Sequence, residues 1–127
     1  YPHLGVPDPN HALSHHQNNP ERMAKLARVN QYHYGLFAKF IEKLRATPDG
    51  PGSLLDHTVL VCGSGMDNPN RHTHFRLPLL VAGGGIRGDR HLQHPDGTPV
   101  GNLLVSLANT FEARVERFGE TTGTVAL

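Results

Sequence analysis

Two short histidine-bearing segments hold most of the reactive side chains of this 127-residue chain. The first, Ser14-His15-His16-Gln17-Asn18-Asn19, lies directly before a stretch with helical periodicity. Two adjacent imidazoles with amides and a hydroxyl at a helix mouth can bind a cation, or an anion helped by the free helix N–H groups. The second, Asp67-Asn68-Pro69-Asn70-Arg71-His72-Thr73-His74, follows an apolar run that reads as a strand. His-x-His in an extended segment points both rings to one side, so His72 and His74 can share a metal, with Asp67 as an oxygen ligand or base. In open α/β sheets ligands gather beyond the carboxyl ends of strands, where this segment falls. For both segments the plainer alternative is a set of solvated loop histidines. The chain has 10 histidines and a single cysteine, Cys62, so a metal would be held by nitrogen and oxygen.

Three other motifs are weaker. Gly83-Gly84-Gly85-Ile86-Arg87-Gly88 matches a dinucleotide fingerprint by letter and follows a strand. No helix opens after it, because Asp89 to Gly97 is broken by proline and glycine, so the glycines read as a tight turn. Cys62-Gly63-Ser64-Gly65-Met66 hints at a hydrolase elbow, but Cys62 and Met66 stand where that motif needs glycine. Ser64 with His72 or His74 and Asp67 is then a nucleophile, base and orienting acid only if geometry assembles them; otherwise Ser64 is a turn residue. Cys62 itself reads as a buried core thiol. His33 lies on an apolar helix stripe and reads as a core or boundary histidine, while His3, His11, His91 and His94 default to the surface.

The elements that must position these groups follow from periodicity. Tyr1 to Asn19, with Pro2, Pro7, Pro9 and Gly5, predicts an extended lead-in. Asn19-Pro20-Glu21 supplies an N-cap, a proline at the first helical position and an acid in the first turn. Met23, Leu26, Val29, His33, Leu36, Phe37, Phe40, Ile41 and Leu44 then recur every three or four residues, which predicts an amphipathic helix to about Arg45. Thr47 to Gly52 reads as a loop, with a short apolar turn at Leu54-Leu55. Thr58 to Cys62 and Leu77 to Ala82 are unbroken apolar runs, as expected of strands buried on both faces. Val100 to Phe111 predicts a second helix. The order helix, strand, loop, strand, helix gives an α/β fold with a parallel or mixed sheet flanked by helices.

Length suits one hydrophobic core, so residues 1–127 form a single domain or part of a larger one. A formal net charge of +1 gives no footprint for nucleic acid or an acidic membrane surface. No apolar stretch approaches the roughly 20 residues of a membrane helix, and the opening residues lack the charged and apolar regions of a signal peptide.

With these residues in view, the sequence resembles the exported bacterial proteins catalogued as domain of unknown function 1552. The carrying pieces are Leu13-Ser14-His15-His16-Gln17-Asn18, Leu55-Asp56-His57-Thr58, Gly63-Ser64-Gly65-Met66, Leu77-Pro78-Leu79-Leu80-Val81-Ala82-Gly83-Gly84-Gly85, Thr98-Pro99 through Asn102-Leu103, and Phe118-Gly119 with Thr122-Gly123. More distantly it is similar to the C-terminal half of the alkaline phosphatase and sulfatase superfamily. There, a histidine ligand region, a long helix and a strand ending in a ligand-bearing loop occur in the same order. Gly63-Ser64-Gly65 stands where sulfatases carry Asp-His-Gly, and the superfamily's nucleophile belongs to an N-terminal half that has no counterpart here. The resemblance implies a periplasmic or extracellular location, through twin-arginine export.

Together these features lead to a metal-dependent hydrolase acting on an ester of a small molecule or glycan, with sulfate or phosphate esters as the class the similarity implies and a carboxylic ester as the other option. His15, His16, His72 and His74 would hold a divalent ion, zinc first and copper second, while Arg71 steadies the developing anion. The alternatives are a non-catalytic metal-binding module and a metal-free serine esterase using Ser64. A homo-oligomer, or a missing N-terminal half, is the partner expected for the chain itself.

Overall fold

The computed structural model describes residues 1–127. A 3-10 turn over Pro2–Leu4 and a short helix α1, Asn10–Ser14, occupy the region expected to be extended. The prolines that argued against regular structure there stand at helix starts: Pro2 opens the turn and Pro9 is the N-cap of α1. Their fixed φ is pre-set for those positions and their missing N–H is not needed. The long helix α2 runs Pro20–Ala46, and the Asn19 side chain accepts the Arg22 N–H at 3.1 Å, so the N-cap expectation holds.

Beyond α2 the segment expected to be loop contains a minimal hairpin, β1 (Pro48–Asp49) against β2 (Gly52–Ser53), turned through Gly50-Pro51. Strands β3, Val59–Gly63, and β4, Leu79–Gly83, follow, and helix α3 covers Val100–Thr110. The fold is therefore mixed α and β, but the expected parallel or mixed sheet is not formed. β3 and β4 pair antiparallel, with Val61 opposite Val81, as a separate two-stranded ribbon. A parallel pair needs a crossover of a dozen or more residues, usually a helix. The 64–78 segment is instead folded into turns by Gly65, Pro69 and Pro78, so the chain returns directly alongside itself.

Three glycines close the ribbon as the sequence predicts. Gly83, Gly84 and Gly85 have φ of 89°, 59° and 71°. A Cβ at Gly83 would strike the Thr58 carbonyl, and one at Gly84 the Val59 side chain. Left-handed backbone and close approach both require glycine here.

Burial is concentrated at one end. Val6, Leu13 and Val29 form the core, flanked by Tyr1, Leu4 and Leu26, so the lead-in is clamped on the first turns of α2. Lys25 strengthens the clamp with ion pairs to Asp8 at 3.1 Å and Glu21 at 3.0 Å. α3 buries Val105 and Leu107 and is tied to the final residues by side chains. Asn102 exchanges hydrogen bonds with Thr122, and the Ser106 hydroxyl accepts the Val125 N–H at 2.8 Å. Met23, Leu36 and Phe40 of the α2 stripe and Val61 and Leu80 of the β3–β4 ribbon are exposed, and the other apolar ribbon residues are half-buried. Cys62, expected in the core, is consequently only half-buried. No helix is long and apolar enough to cross a membrane.

Candidate functional site

The two histidine segments meet. His15 caps the C-terminus of α1, and its ring centroid lies 4.9 Å from that of His72, with 50° between the ring planes. A backbone link fixes the approach: the Gln17 N–H donates to the Asn70 side-chain oxygen at 2.9 Å. Both sides of the contact are built from tight turns. Gln17 and Asn18 hold φ of 52° and 59°, which turns the chain from α1 into α2. Across the gap, Asn68 and Thr73 form an isolated antiparallel bridge. The Asn68 carboxamide accepts the N–H groups of Asn70 and Arg71 at 3.1 and 3.3 Å, curling Pro69 to His72 into a compact loop.

His72 sits at φ 55°, in the left-handed region. That single dihedral defeats the His-x-His expectation, because side chains two apart share a side only in extended backbone. His72 turns toward His15, whereas His74 turns away. The His74 Nδ1 bonds to the Gly65 carbonyl at 2.6 Å, and its ring lines a groove of about 1310 Å³ between β4, the 86–100 segment and α3. As the carbonyl cannot donate, Nδ1 carries the proton and Nε2 keeps a free lone pair, the arrangement common in metal-binding histidines.

His16 behaves oppositely. It is 7% exposed, and its Nδ1 accepts the Asn18 N–H at 3.0 Å. In the neutral ring the proton then sits on Nε2, so neither nitrogen is free to ligate. The adjacent His15 and His16 thus separate into a surface ring and a structural one.

Asp67 and Arg71 also part from the histidine pair. Burial raises the Asp67 pKa, but hydrogen bonds from the Thr73 side chain and the Phe75 N–H outweigh it and hold the carboxyl below its ordinary range. Asp67 lines a small cleft with Phe75, Arg76, Asp96 and Gly97, where Arg76 forms a two-pronged bond to Asp96 at 3.2 and 3.4 Å. That partner raises the Arg76 pKa. Arg71 is exposed at the tip of the loop that carries His72. The Ser64 hydroxyl donates to the Met66 carbonyl at 2.7 Å and accepts the Met66 N–H at 3.1 Å. It closes its own turn and has no imidazole partner, so the three-residue nucleophile assembly is not formed.

One histidine was missed by the sequence reading. His11 stacks edge-on against His15 with centroids 4.7 Å apart, making a row His11, His15, His72. The signal was its spacing of four from His15, which puts both rings on one side of a helical turn; the expected absence of a helix hid it. Two imidazoles on one zinc ion, each at about 2.0–2.1 Å, have centroids roughly 5 Å apart. Both observed spacings fit that distance pairwise, although no three His, Cys, Asp or Glu side chains converge on one point. The structure therefore offers a close pair of rings, His15 and His72, with His11 alongside. No protein-family model matches the chain, and neither a curated protein nor a solved structure shows significant similarity to it.

Proposed function

We propose that this chain carries the metal-holding face of a hydrolase that cleaves an ester, with His15 and His72 as principal ligands of a divalent ion. The observation that carries the proposal is the approach of these two rings to 4.9 Å from segments 57 positions apart, reinforced by the Gln17–Asn70 bond. Zinc suits imidazole donors and is the first choice, with copper second. When bound, such an ion polarises an ester oxygen or lowers the pKa of water. The chain's own residues then have separate tasks. His15 and His72 hold the cation as neutral imidazoles, and the left-handed turn at His72 aims its ring. Arg71, on the same loop and exposed, is suited to an anionic sulfate, phosphate or carboxylate group. His74, with Nε2 free in the groove, is suited to accept a proton from a bound molecule.

Membership of the exported family, a relation to part of an alkaline phosphatase-like fold, and a periplasmic or extracellular location belong to the same proposal. A purely structural metal site is the second reading, favoured by the fact that the His15–His72 contact pins the lead-in to the inter-strand loop. Elemental analysis of purified protein, with hydrolysis of sulfate, phosphate and carboxylic ester panels before and after chelation, separates the two. The hydrolase predicts about one metal per chain and turnover that chelation abolishes. Stoichiometric metal without turnover leaves the structural site, and absence of metal overturns both.

A further inference from the structure

We propose, resting on the role given to His74 in the hydrolase reading, that Ser64 and Asp67 are positioning residues for its ring. Together they hold the ring with its proton on Nδ1 and the Nε2 lone pair presented to the groove. Neither side chain bonds the imidazole; each acts through the backbone around it.

Ser64 sets the acceptor. The Gly65 carbonyl and the Met66 N–H belong to one planar trans peptide, so they point in opposite directions. The Ser64 hydroxyl takes that N–H at 3.1 Å, and the carbonyl on the far side of the same plane meets His74 Nδ1 at 2.6 Å. A second bond, from the Ser64 hydroxyl to the Met66 carbonyl at 2.7 Å, closes the turn. The turn is anchored where the ribbon ends, since the Ser64 N–H donates to the Pro78 carbonyl at 3.3 Å.

Asp67 sets the backbone that carries the ring. His74 stands between Thr73 and Phe75, and Asp67 holds both: its carboxylate accepts the Thr73 side chain and, at 3.1 Å, the Phe75 N–H. The Asp67 N–H donates in turn to the Thr73 carbonyl at 3.0 Å. Ring and acceptor are therefore both tied to the segment 64–67. This accounts for a serine and an aspartate lying beside a histidine without bonding it. His16 gives the contrast, a buried ring whose Nδ1 accepts a bond from its own turn. His74 is exposed, and with Gly65, Leu77 and Leu103 it lines the groove, so its orientation presents an acceptor instead of filling a core.

Ring-nitrogen NMR of the 127-residue chain, at a pH where its histidines are neutral, tests the assignment. His74 is expected to carry its proton on Nδ1, with exposed His91 as the control for a free ring. Ser64→Ala and Asp67→Ala should each shift the His74 tautomer ratio roughly fivefold toward that control, the worth of one hydrogen bond. Ser64→Thr and Asp67→Asn keep the accepting oxygen and should restore the ratio. A wild-type His74 with its proton on Nε2, or averaged like His91, would overturn the assignment, and this needs no variant to fold. An unchanged tautomer in folded Ser64→Ala and Asp67→Ala would overturn it as well, leaving both residues as staples of the loop. The tautomer is read without substrate, so a fixed His74 in a protein lacking ester turnover supports the positioning and sinks only the hydrolase reading.

Discussion

Replacing Leu13 by alanine should release the lead-in segment and, with it, half of the histidine pair. Leu13 is 1% exposed and shares its cluster only with Val6 and Val29 as fully buried neighbours. Leu-to-Ala changes in closed cores cost about 2–5 kcal/mol, the larger values where the surroundings cannot collapse into the gap. Here Leu13 stands on a five-residue helix and Val6 just after a 3-10 turn, short pieces that can settle partly against Val29 of α2, so a loss of about 3 kcal/mol is appropriate. A cluster of three buried side chains has little to spare, so the cost falls on local opening rather than on the whole molecule. The Leu13 N–H to Pro9 and His15 N–H to His11 bonds should therefore exchange faster by up to about 100-fold, while β3 and β4 amides change little. Amide hydrogen exchange read residue by residue measures this. Unchanged protection in α1, or equal acceleration in the ribbon, would refute the view that residues 1–19 dock as a separate unit on α2.

Gly83→Ala meets both the Thr58 carbonyl and an unfavourable φ of 89°, and should destabilise by about 1–3 kcal/mol in chemical unfolding, whereas Gly88→Ala, with open space and ordinary φ, should stay within about 0.5 kcal/mol. Asn70→Ala removes the acceptor for the Gln17 N–H, and a loss of about 1 kcal/mol predicts roughly fivefold weaker zinc binding by calorimetry; unchanged affinity would show that the two loops meet without it. Asp56 accepts the Ser53 hydroxyl and Ser53 N–H, both at 2.8 Å, and these bonds hold its pKa below the ordinary value. Its contribution to the turn after β2 is therefore present above the unfolded-state pKa and lost as pH falls through the lowered folded value. Carboxyl-carbon NMR should show Asp56 titrating below an unstructured aspartate, and Asp56→Asn should remove that pH dependence.

The parts of the fold governed by local chemistry were legible in the sequence. Asn19-Pro20 states a helix start in neighbouring residues, and Gly83 to Gly85 states a turn that only glycine can make. Pairing direction was not legible, because the apolar runs at Thr58–Cys62 and Leu77–Ala82 read the same in a parallel or an antiparallel partner. An unbroken run was taken as burial on both faces, yet Val61 and Leu80 stay exposed in a ribbon of only two strands. At the site, the two segments were identified from composition, but which rings meet depended on single dihedrals. The left-handed turn at His72 separates it from His74, and one backbone N–H removes His16 from service. His11 went unnoticed because its role depends on α1, a helix of five residues that composition argued against.

The central claim is that His15 and His72 hold one cation between them. Zinc titration followed through the imidazole nitrogen resonances tests it most directly, since ligation displaces a ring nitrogen in a way that mere exposure does not. Rings of His15 and His72 are predicted to shift together and saturate near one zinc per chain, with His16 unmoved and both shifts lost in His72→Ala. Zinc that leaves those two rings unmoved, or that shifts His15 equally well without His72, would contradict the account.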